Sequence, residues 1–168
     1  MILAVTGPDP KEILSDPRAG SQEQLITQLT VMLSSAYAEG TRIFLFNGSE
    51  PFGTLAFQTL QNITTDAELT TAFYLPFPDT EQDPTLLSKA SFVHWHRTTI
   101  PDIPEKQPVV RKYCNDRMVE DCDELLVVYD MEQNWLTDSS ETARLIRYAS
   151  EKQKPISVLN PYKVVCTW

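Results

Sequence analysis

The chain has 168 residues, 42% of them hydrophobic and 22% charged, which suits one soluble domain with a sizeable core and argues against both a disordered chain and a pair of ordinary domains. Its 23 acidic residues against 14 basic ones give a formal charge of -9, opposing the counterion release on which general nucleic-acid binding depends. No apolar run approaches the roughly 20 residues of a bilayer-spanning helix, and three cysteines without a CxxC pair point to a reduced, cytoplasmic home rather than to disulfides or zinc.

Residues 1–7 lack the basic start of a signal peptide and are too short for one, so Leu3 to Thr6 reads as a first strand. Prolines at 8, 10 and 17 predict a loop over residues 8–20. From Ser21, an N-cap by type, the apolar positions Leu25, Ile26, Leu29, Met32, Leu33 and Ala36 recur at helical spacing up to a stop at Gly40. Ile43 to Phe46 is a continuous apolar strand, as in a parallel sheet covered on both faces, and it ends in Asn47-Gly48-Ser49. A second helix begins near Pro51, with Leu55, Ala56, Thr59, Leu60 and Ile63 facing inward, and a strand over 69–75 is stopped by Pro76 and Pro78. There follow a short helix over 85–89, a fourth strand over 90–95, a proline-rich mobile connection over 98–108 and a helix over 109–121. A fully buried strand over 124–129, a helix over 138–151 capped by Asp138 with Glu141, and a strand over 156–159 complete the series. Residues 161–168 are apolar enough for an edge strand or for docking on a second subunit, which makes a homodimer one expectation.

Strands alternating with helices predict an α/β, Rossmann-like three-layer fold with a mainly parallel, doubly wound sheet, as one domain over residues 1–168. In such sheets ligands sit beyond the carboxyl ends of the strands. Three strand-end segments converge there: Thr6-Gly7-Pro8-Asp9; Asn47-Gly48-Ser49 with Gly53; and Tyr129-Asp130-Met131-Glu132 running into Thr137-Asp138-Ser139-Ser140. Gly7 and Gly48 let backbone approach a ligand, and the N–H groups opening the helices after residues 49 and 138 suit an anion such as phosphate. Ordinary βα turns use the same residue types. Neither GxGxxG nor GxxxxGK[ST] occurs, so the common dinucleotide and P-loop fingerprints are absent.

Other candidates are weaker. His94 and His96 share a strand face, compatible with metal ligation or with partly buried, hydrogen-bonded histidines. Arg97, Arg111 and Arg117 flank the predicted cleft, Arg117 being the favoured phosphate partner, with a solvated helix face as the alternative. Among Phe73, Tyr74, Phe77 and Trp135, only Trp135 lies in a polar loop beside the cleft, where it would stack a base; the others read as core. Cys114 and Cys122, about 12 Å apart along a helix, are beyond disulfide reach, and no residue marks either as a nucleophile.

Five segments in order, Leu3-Ala4-Val5-Thr6-Gly7, Phe46-Asn47-Gly48-Ser49 with Phe52-Gly53, Tyr74-Leu75-Pro76-Phe77, Cys114 to Val119, and Leu125 to Asp130, together resemble the YpsA-like branch of the SLOG superfamily, which also holds DNA-processing DprA/Smf and LOG-type proteins. The resemblance implies a Rossmann-like sheet and a nucleotide-related ligand. It matches Thr6 and Gly7 to a first ligand loop, Gly48, Ser49 and Gly53 to a second, Asn115 and Met118 to an Asn-x-x-Met helix, and Asp130 and Glu132 to an acidic strand end. Two departures stand out: Pro8-Asp9 replaces a basic pair, and Leu136-Thr137-Asp138-Ser139-Ser140 replaces a glycine-rich phosphate turn. Acids at 9 and 138 disfavour phosphate, so the ligand is expected to be less charged, metal-bridged or held by backbone.

The leading expectation is therefore binding or sensing of a nucleotide-like small molecule, with NAD or ADP-ribose as examples, without turnover. The ligand set is Thr6, Gly7, Gly48, Ser49, Gly53, Asn115, Arg117, Asp130, Glu132, Thr137 and Ser139, with no resident metal. Alternatives are a hydrolase of the N-glycosidase or phosphoribohydrolase type using Asp130 or Glu132, with Glu141 also placed for it, a single-stranded nucleic-acid binder, and a scaffold without a ligand.

Overall fold

A computed structural model describes residues 1–77, 84–95 and 103–162. Six strands form one parallel sheet: β1 (Ile2–Thr6), β2 (Ile43–Asn47), β3 (Thr70–Leu75), β4 (Phe92–Trp95), β5 (Glu124–Val128) and β6 (Ile156–Leu159). Their order across the sheet is β4-β3-β2-β1-β5-β6. The chain winds outward from β1 through β2 and β3 to β4, returns to the other side of β1 as β5, and continues to β6. This is the doubly wound, Rossmann-like α/β arrangement, and its reversal lies between β1 and β5.

Strand periodicity divides the core in two. Leu3 and Val5 of β1, Phe44 and Phe46 of β2 and Phe73 of β3 face one side; Ala4, Leu45, Ala72 and Tyr74 face the other. On the first side pack α1 (Pro10–Ser15), α2 (Gln22–Ala38) and α3 (Pro51–Ile63), with the short α4 (Pro84–Leu87) at the margin. On the second side pack α5 (Gln107–Asp121) and α6 (Glu141–Glu151). Phe57 of α3 lies with its ring centroid 4.6 Å from Phe73 and 5.7 Å from Phe46, so one aromatic cluster fastens α3 to the middle of the sheet. Complete burial of each such ring contributes about 1.5–3 kcal/mol.

Local chemistry sets the helix ends. Ser21 and Gln24 form a reciprocal capping box at the start of α2, and Gly40 ends it with a φ of 100°, a conformation that costs glycine nothing. The expected loop over 8–20 instead contains α1. Asp9 caps it by accepting from the Lys11 N–H at 2.8 Å, and Pro10 occupies the first turn, where its missing N–H is no loss. The last helix starts at Glu141 rather than at 138, because Ser140 is its N-cap and accepts from the Ala143 N–H. In α3, Leu55 and Ile63 are only partly buried, while Phe52 and Phe57 carry the core contacts. Ile26, Met32 and Ala36 of α2 are likewise partly exposed. No helix among the described residues is long and apolar enough to cross a membrane. Pro78, His96, Arg97, Cys166 and the connection as far as residue 102 lie outside the described residues, as does the tail after Tyr162.

Candidate functional site

Parallel pairing brings the ends of β1 and β5 side by side, with Thr6 opposite Val127, so Gly7-Pro8 and Tyr129-Asp130 leave the sheet together. Above them lies an open cavity of about 320 Å³, bordered by Pro8, Arg18, Tyr129, Asp130, Ser140 and Tyr162 among others. Arg18 organises this space. Its Nε donates to Asp16 Oδ1 at 3.1 Å, its Nη2 to Asp16 Oδ2 and to Asp130 Oδ2 at 2.7 Å each, and its Nη1 to Glu132 Oε2 at 2.7 Å. The guanidinium also lies 4.7 Å from the centroid of the Tyr162 ring, and Ala19 and Tyr162 form an antiparallel bridge. The hydrogen bonds from Arg18 hold the Asp16 carboxyl below its ordinary value, and those carboxylates raise the guanidinium in turn.

Asp130 is 8% exposed and anchors the strand end. Its Oδ1 accepts the Glu132 N–H at 3.0 Å while its Oδ2 takes Arg18. Beside it, Asp138 accepts from the Ser140 N–H at 2.9 Å, from the Ser140 hydroxyl at 2.7 Å and from the Tyr129 hydroxyl at 2.8 Å. These bonds, led by the Ser140 N–H, hold the Asp138 carboxyl below its usual range. Burial and the neighbouring Asp138 raise the Tyr129 phenol. Asp138 therefore closes the turn before α6 on Ser140 and Tyr129, which leaves a fixed carboxylate beside the start of that helix.

A second polar group lies over β2. Asn47, 3% exposed, accepts the Ser49 N–H and hydroxyl, both at 2.8 Å, on its Oδ1 and donates from Nδ2 to Asn115 Oδ1. Asn115, 2% exposed, passes the chain on by donating to Glu141 Oε1 at 2.9 Å. Arg144 joins Glu141 to Asp116 with contacts of 2.6 Å to each, and Lys112 closes on Asp116 at 2.7 Å. Asn115 thus ties the β2 turn to the start of α6. At the head of α3, Glu50 is the N-cap by position but makes no side-chain cap, and burial raises its carboxyl above the ordinary value. Arg111 pulls that carboxyl down, whereas Glu141, Asp9 and Glu12 push it further up. Among the described residues Arg111 is half-buried and has neither a hydrogen bond nor an ion pair of its own.

The predicted residues divide accordingly. Asp130 and Glu132 meet at Arg18, and Thr6 is buried at the end of β1 beside them. Ser49 and Asn115 meet through Asn47, away from that cluster. Thr137 and Ser139 are exposed on the turn before α6, the Thr137 hydroxyl donating to the Asn134 carbonyl. Arg117 lies on the exposed face of α5, 2.9 Å from Asp121 and 3.8 Å from Glu120, and does not border the cavity. Trp135 does not border the cavity itself: it packs near Ile146, Ile156 and Val158 in a neighbouring hollow that shares Tyr129 and Gln133 with it. His94 lies in β4, its ring 4.8 Å from that of Tyr74. Cys114 and Cys122 are buried free thiols, that of Cys114 pushed up to about 12 by burial.

The glycines have packing reasons of their own. A Cβ on Gly53 would lie 1.8 Å from the Asn47 carbonyl oxygen, and one on Gly48 would lie 2.5 Å from Leu75 Cδ2. At Gly7 the Phe52 ring would be 3.1 Å away. Gly7 and Gly53 permit α3 to sit close against the ends of β1 and β2, and Gly48 permits the turn after β2 to lie against β3. Sequence reading does not single out Arg18, which falls in the expected loop over 8–20; the available signal is the Asp16-x-Arg18 spacing, which permits a side-chain pair across a turn.

No family model and no curated protein matches the sequence. Among solved structures, the chain is similar to the molybdenum cofactor carrier protein MCP from Chlamydomonas reinhardtii, with a TM-score of 0.55 at 15% identity, covering 94% of this chain and 74% of that one. A likeness at this level of identity is one of fold, and it places the chain among Rossmann-like α/β proteins.

Proposed function

We propose that this protein is a SLOG-type member of the Rossmann-like group, of the YpsA-like branch, that binds a nucleotide or a nucleotide-derived cofactor at the carboxyl ends of its strands and does not turn it over. The supporting observation is the cavity at the reversal between β1 and β5, the position where open α/β sheets hold their ligands. The ligand extends from that cavity across Gly7 toward the head of α3, where Arg111 and the first N–H groups of the helix supply the cationic end of the site. Asp130 and Glu132 serve as fixed acceptors held by Arg18, a better fit to positioning than to carrying a proton.

A thermal-shift screen tests the reading, using NAD, ADP-ribose, nucleoside mono-, di- and triphosphates, cyclic nucleotides and the molybdenum cofactor, with product analysis of each hit. A ligand at about 100 times its Kd adds roughly 2.7 kcal/mol, a rise of about 5–10 °C for a chain of this size. The expected result is a stabilising ligand recovered unchanged. A consumed ligand replaces binding by hydrolysis, and a flat screen leaves the scaffold reading. A cytoplasmic location and a homodimer belong to the same proposal; light scattering on the purified chain decides the second.

A further inference from the structure

We infer, on the reading that the carboxyl edge binds a nucleotide-derived ligand, that the cavity between β1 and β5 takes the hydrogen-bond-donating, uncharged or cationic part of that ligand and excludes its phosphates. The donor group is a ribose-type vicinal diol or the amino group of a heterocycle.

The argument rests on which hydrogen-bonding capacity is already used. A guanidinium has five N–H donors. Arg18 spends one from Nε on Asp16, two from Nη2 on Asp16 and Asp130, and one from Nη1 on Glu132, which leaves a single donor. The cation that a phosphate would seek here is therefore committed to three carboxylates. Asp138, which also borders the cavity, adds a fourth carboxylate that Arg18 does not hold. Three carboxylates on Arg18, and Asp138 with Arg147 beside it, still leave this end of the cleft with more negative than positive charge, which repels an anionic group and attracts a cationic one.

The acceptor side is the reverse. Each carboxylate oxygen carries two lone pairs. Asp130 Oδ1 takes the Glu132 N–H and Oδ2 takes Arg18, so each retains one. The Ser140 and Tyr129 hydroxyls give their hydrogens to Asp138; the Tyr129 oxygen keeps its lone pairs, and the Ser140 oxygen, which already accepts the Ala143 N–H, keeps one. Asp130 is held in place by Arg18 and by the Glu132 backbone, and the Tyr162 ring, which also borders the cavity, stacks on the guanidinium. The result is a preorganised row of acceptors facing about 320 Å³ of open space, at the lower end of the range for small-molecule pockets. A vicinal diol, with two adjacent hydroxyl donors, or an exocyclic amino group matches such a row; a phosphate matches none of it.

Titration calorimetry on the full chain decides this, with adenosine and guanosine 5′-monophosphates as probes. Each is compared with its 2′,3′-O-isopropylidene form and with its form dimethylated on the exocyclic amino nitrogen. One mask or the other is expected to weaken binding by roughly tenfold or more, the loss that goes with a hydrogen bond to a charged acceptor. Which mask does so identifies the diol or the amino group as the donor in the cavity. Asp130→Asn is expected to weaken the unmodified nucleotide similarly and to leave the masked one unaffected. Asp16→Asn, at a partly exposed turn, gives a second reading of the local charge should Asp130→Asn fail to fold. Inorganic phosphate, excluded from the parent cavity, is expected to bind these variants no less tightly, because each removes a negative charge beside Arg18. Tighter binding of either unmodified nucleotide to Asp130→Asn would overturn the inference while leaving the ligand reading intact, and so would indifference to both masks. Absence of binding by these nucleotides and by every compound of the wider screen removes the ligand reading itself, and this inference with it.

Discussion

Replacing Gly53 by alanine sets two effects of opposite sign against each other within one helix. Position 53 lies in the first turn of α3, and alanine is a better helix former than glycine by about 1 kcal/mol. The new Cβ, however, would stand 1.8 Å from the Asn47 carbonyl oxygen and 2.8 Å from its carbon. Both are backbone atoms of the β2 turn, so no side-chain rotation relieves the contact, and α3 must lift away from the sheet. Lifting disturbs the buried rings of Phe52 and Phe57, an overpacking cost at the upper end of the usual 1–3 kcal/mol, about 3. The net expectation is a loss of about 2 kcal/mol. Urea denaturation monitored by circular dichroism measures it: the midpoint should fall with the slope unchanged. Gly40→Ala is the control, since nothing lies within 4 Å of its Cβ and only its φ of +100° is unfavourable. That variant should lose about 1 kcal/mol. A Gly53→Ala protein as stable as the parent would refute the close packing of α3 on β2 as the reason for glycine there.

Asn115→Leu keeps the volume and removes the link between Asn47 and Glu141. The buried Asn47 amide loses its acceptor, at a cost of about 2 kcal/mol, while half-exposed Glu141 turns to water, so chemical denaturation should show a loss near that figure and a neutral result would count against the relay. Two carboxyl groups predict opposite pH dependences. Asp138 has a folded-state pKa below its ordinary 3.8, so its contribution is complete above that value and is lost as pH falls through the lowered one; Asp138→Asn should be less stable than the parent at pH 7, with the difference closing in acid. Glu50 has a folded-state pKa above its ordinary 4.5, so its charge is a penalty that disappears below 4.5; Glu50→Gln should be more stable at pH 7 and equal to the parent in acid, and equal stability at pH 7 would remove burial as the cause. In a Cys166→Ser background, neither Cys114 nor Cys122 should react with a thiol reagent at pH 8 until denaturant is added, both being buried with raised pKa values.

The fold was largely legible because its strands are apolar on both faces and its helices on one. Ile43 to Phe46 and Leu125 to Val128 leave no polar side to turn outward, and that demands helices above and below. What escaped notice was local. Pro10 is a helix breaker by type, yet at the first turn behind an Asp cap it starts α1. Asp138 has the residue type of a helix cap, yet its side chain folds onto Ser140 two residues on, and Ser140 takes the cap.

The site was harder to read for a related reason. Residue type and strand-end position single out acceptors well: Asp130 and Glu132 are where a βα loop begins. They do not reveal which cation, if any, those acceptors hold, because pairing across 112 and 114 residues leaves no periodic trace. Arg117 looked better placed than Arg18 on a linear reading, since it lies on a regular helix near the expected cleft. A regular helix also supplies partners three and four residues away, and Arg117 is occupied by Glu120 and Asp121 for that reason. Arg18 lies beyond a short helix, where the chain turns back at Asp16 and brings it across the end of β5. The net charge of -9 is silent about this arrangement, in which one arginine gathers three carboxylates into a single acceptor surface. Removing that arginine, rather than any one acid, should therefore disperse the acceptors together: Arg18→Gln is expected to weaken every ligand that enters the cavity, whichever donor it presents.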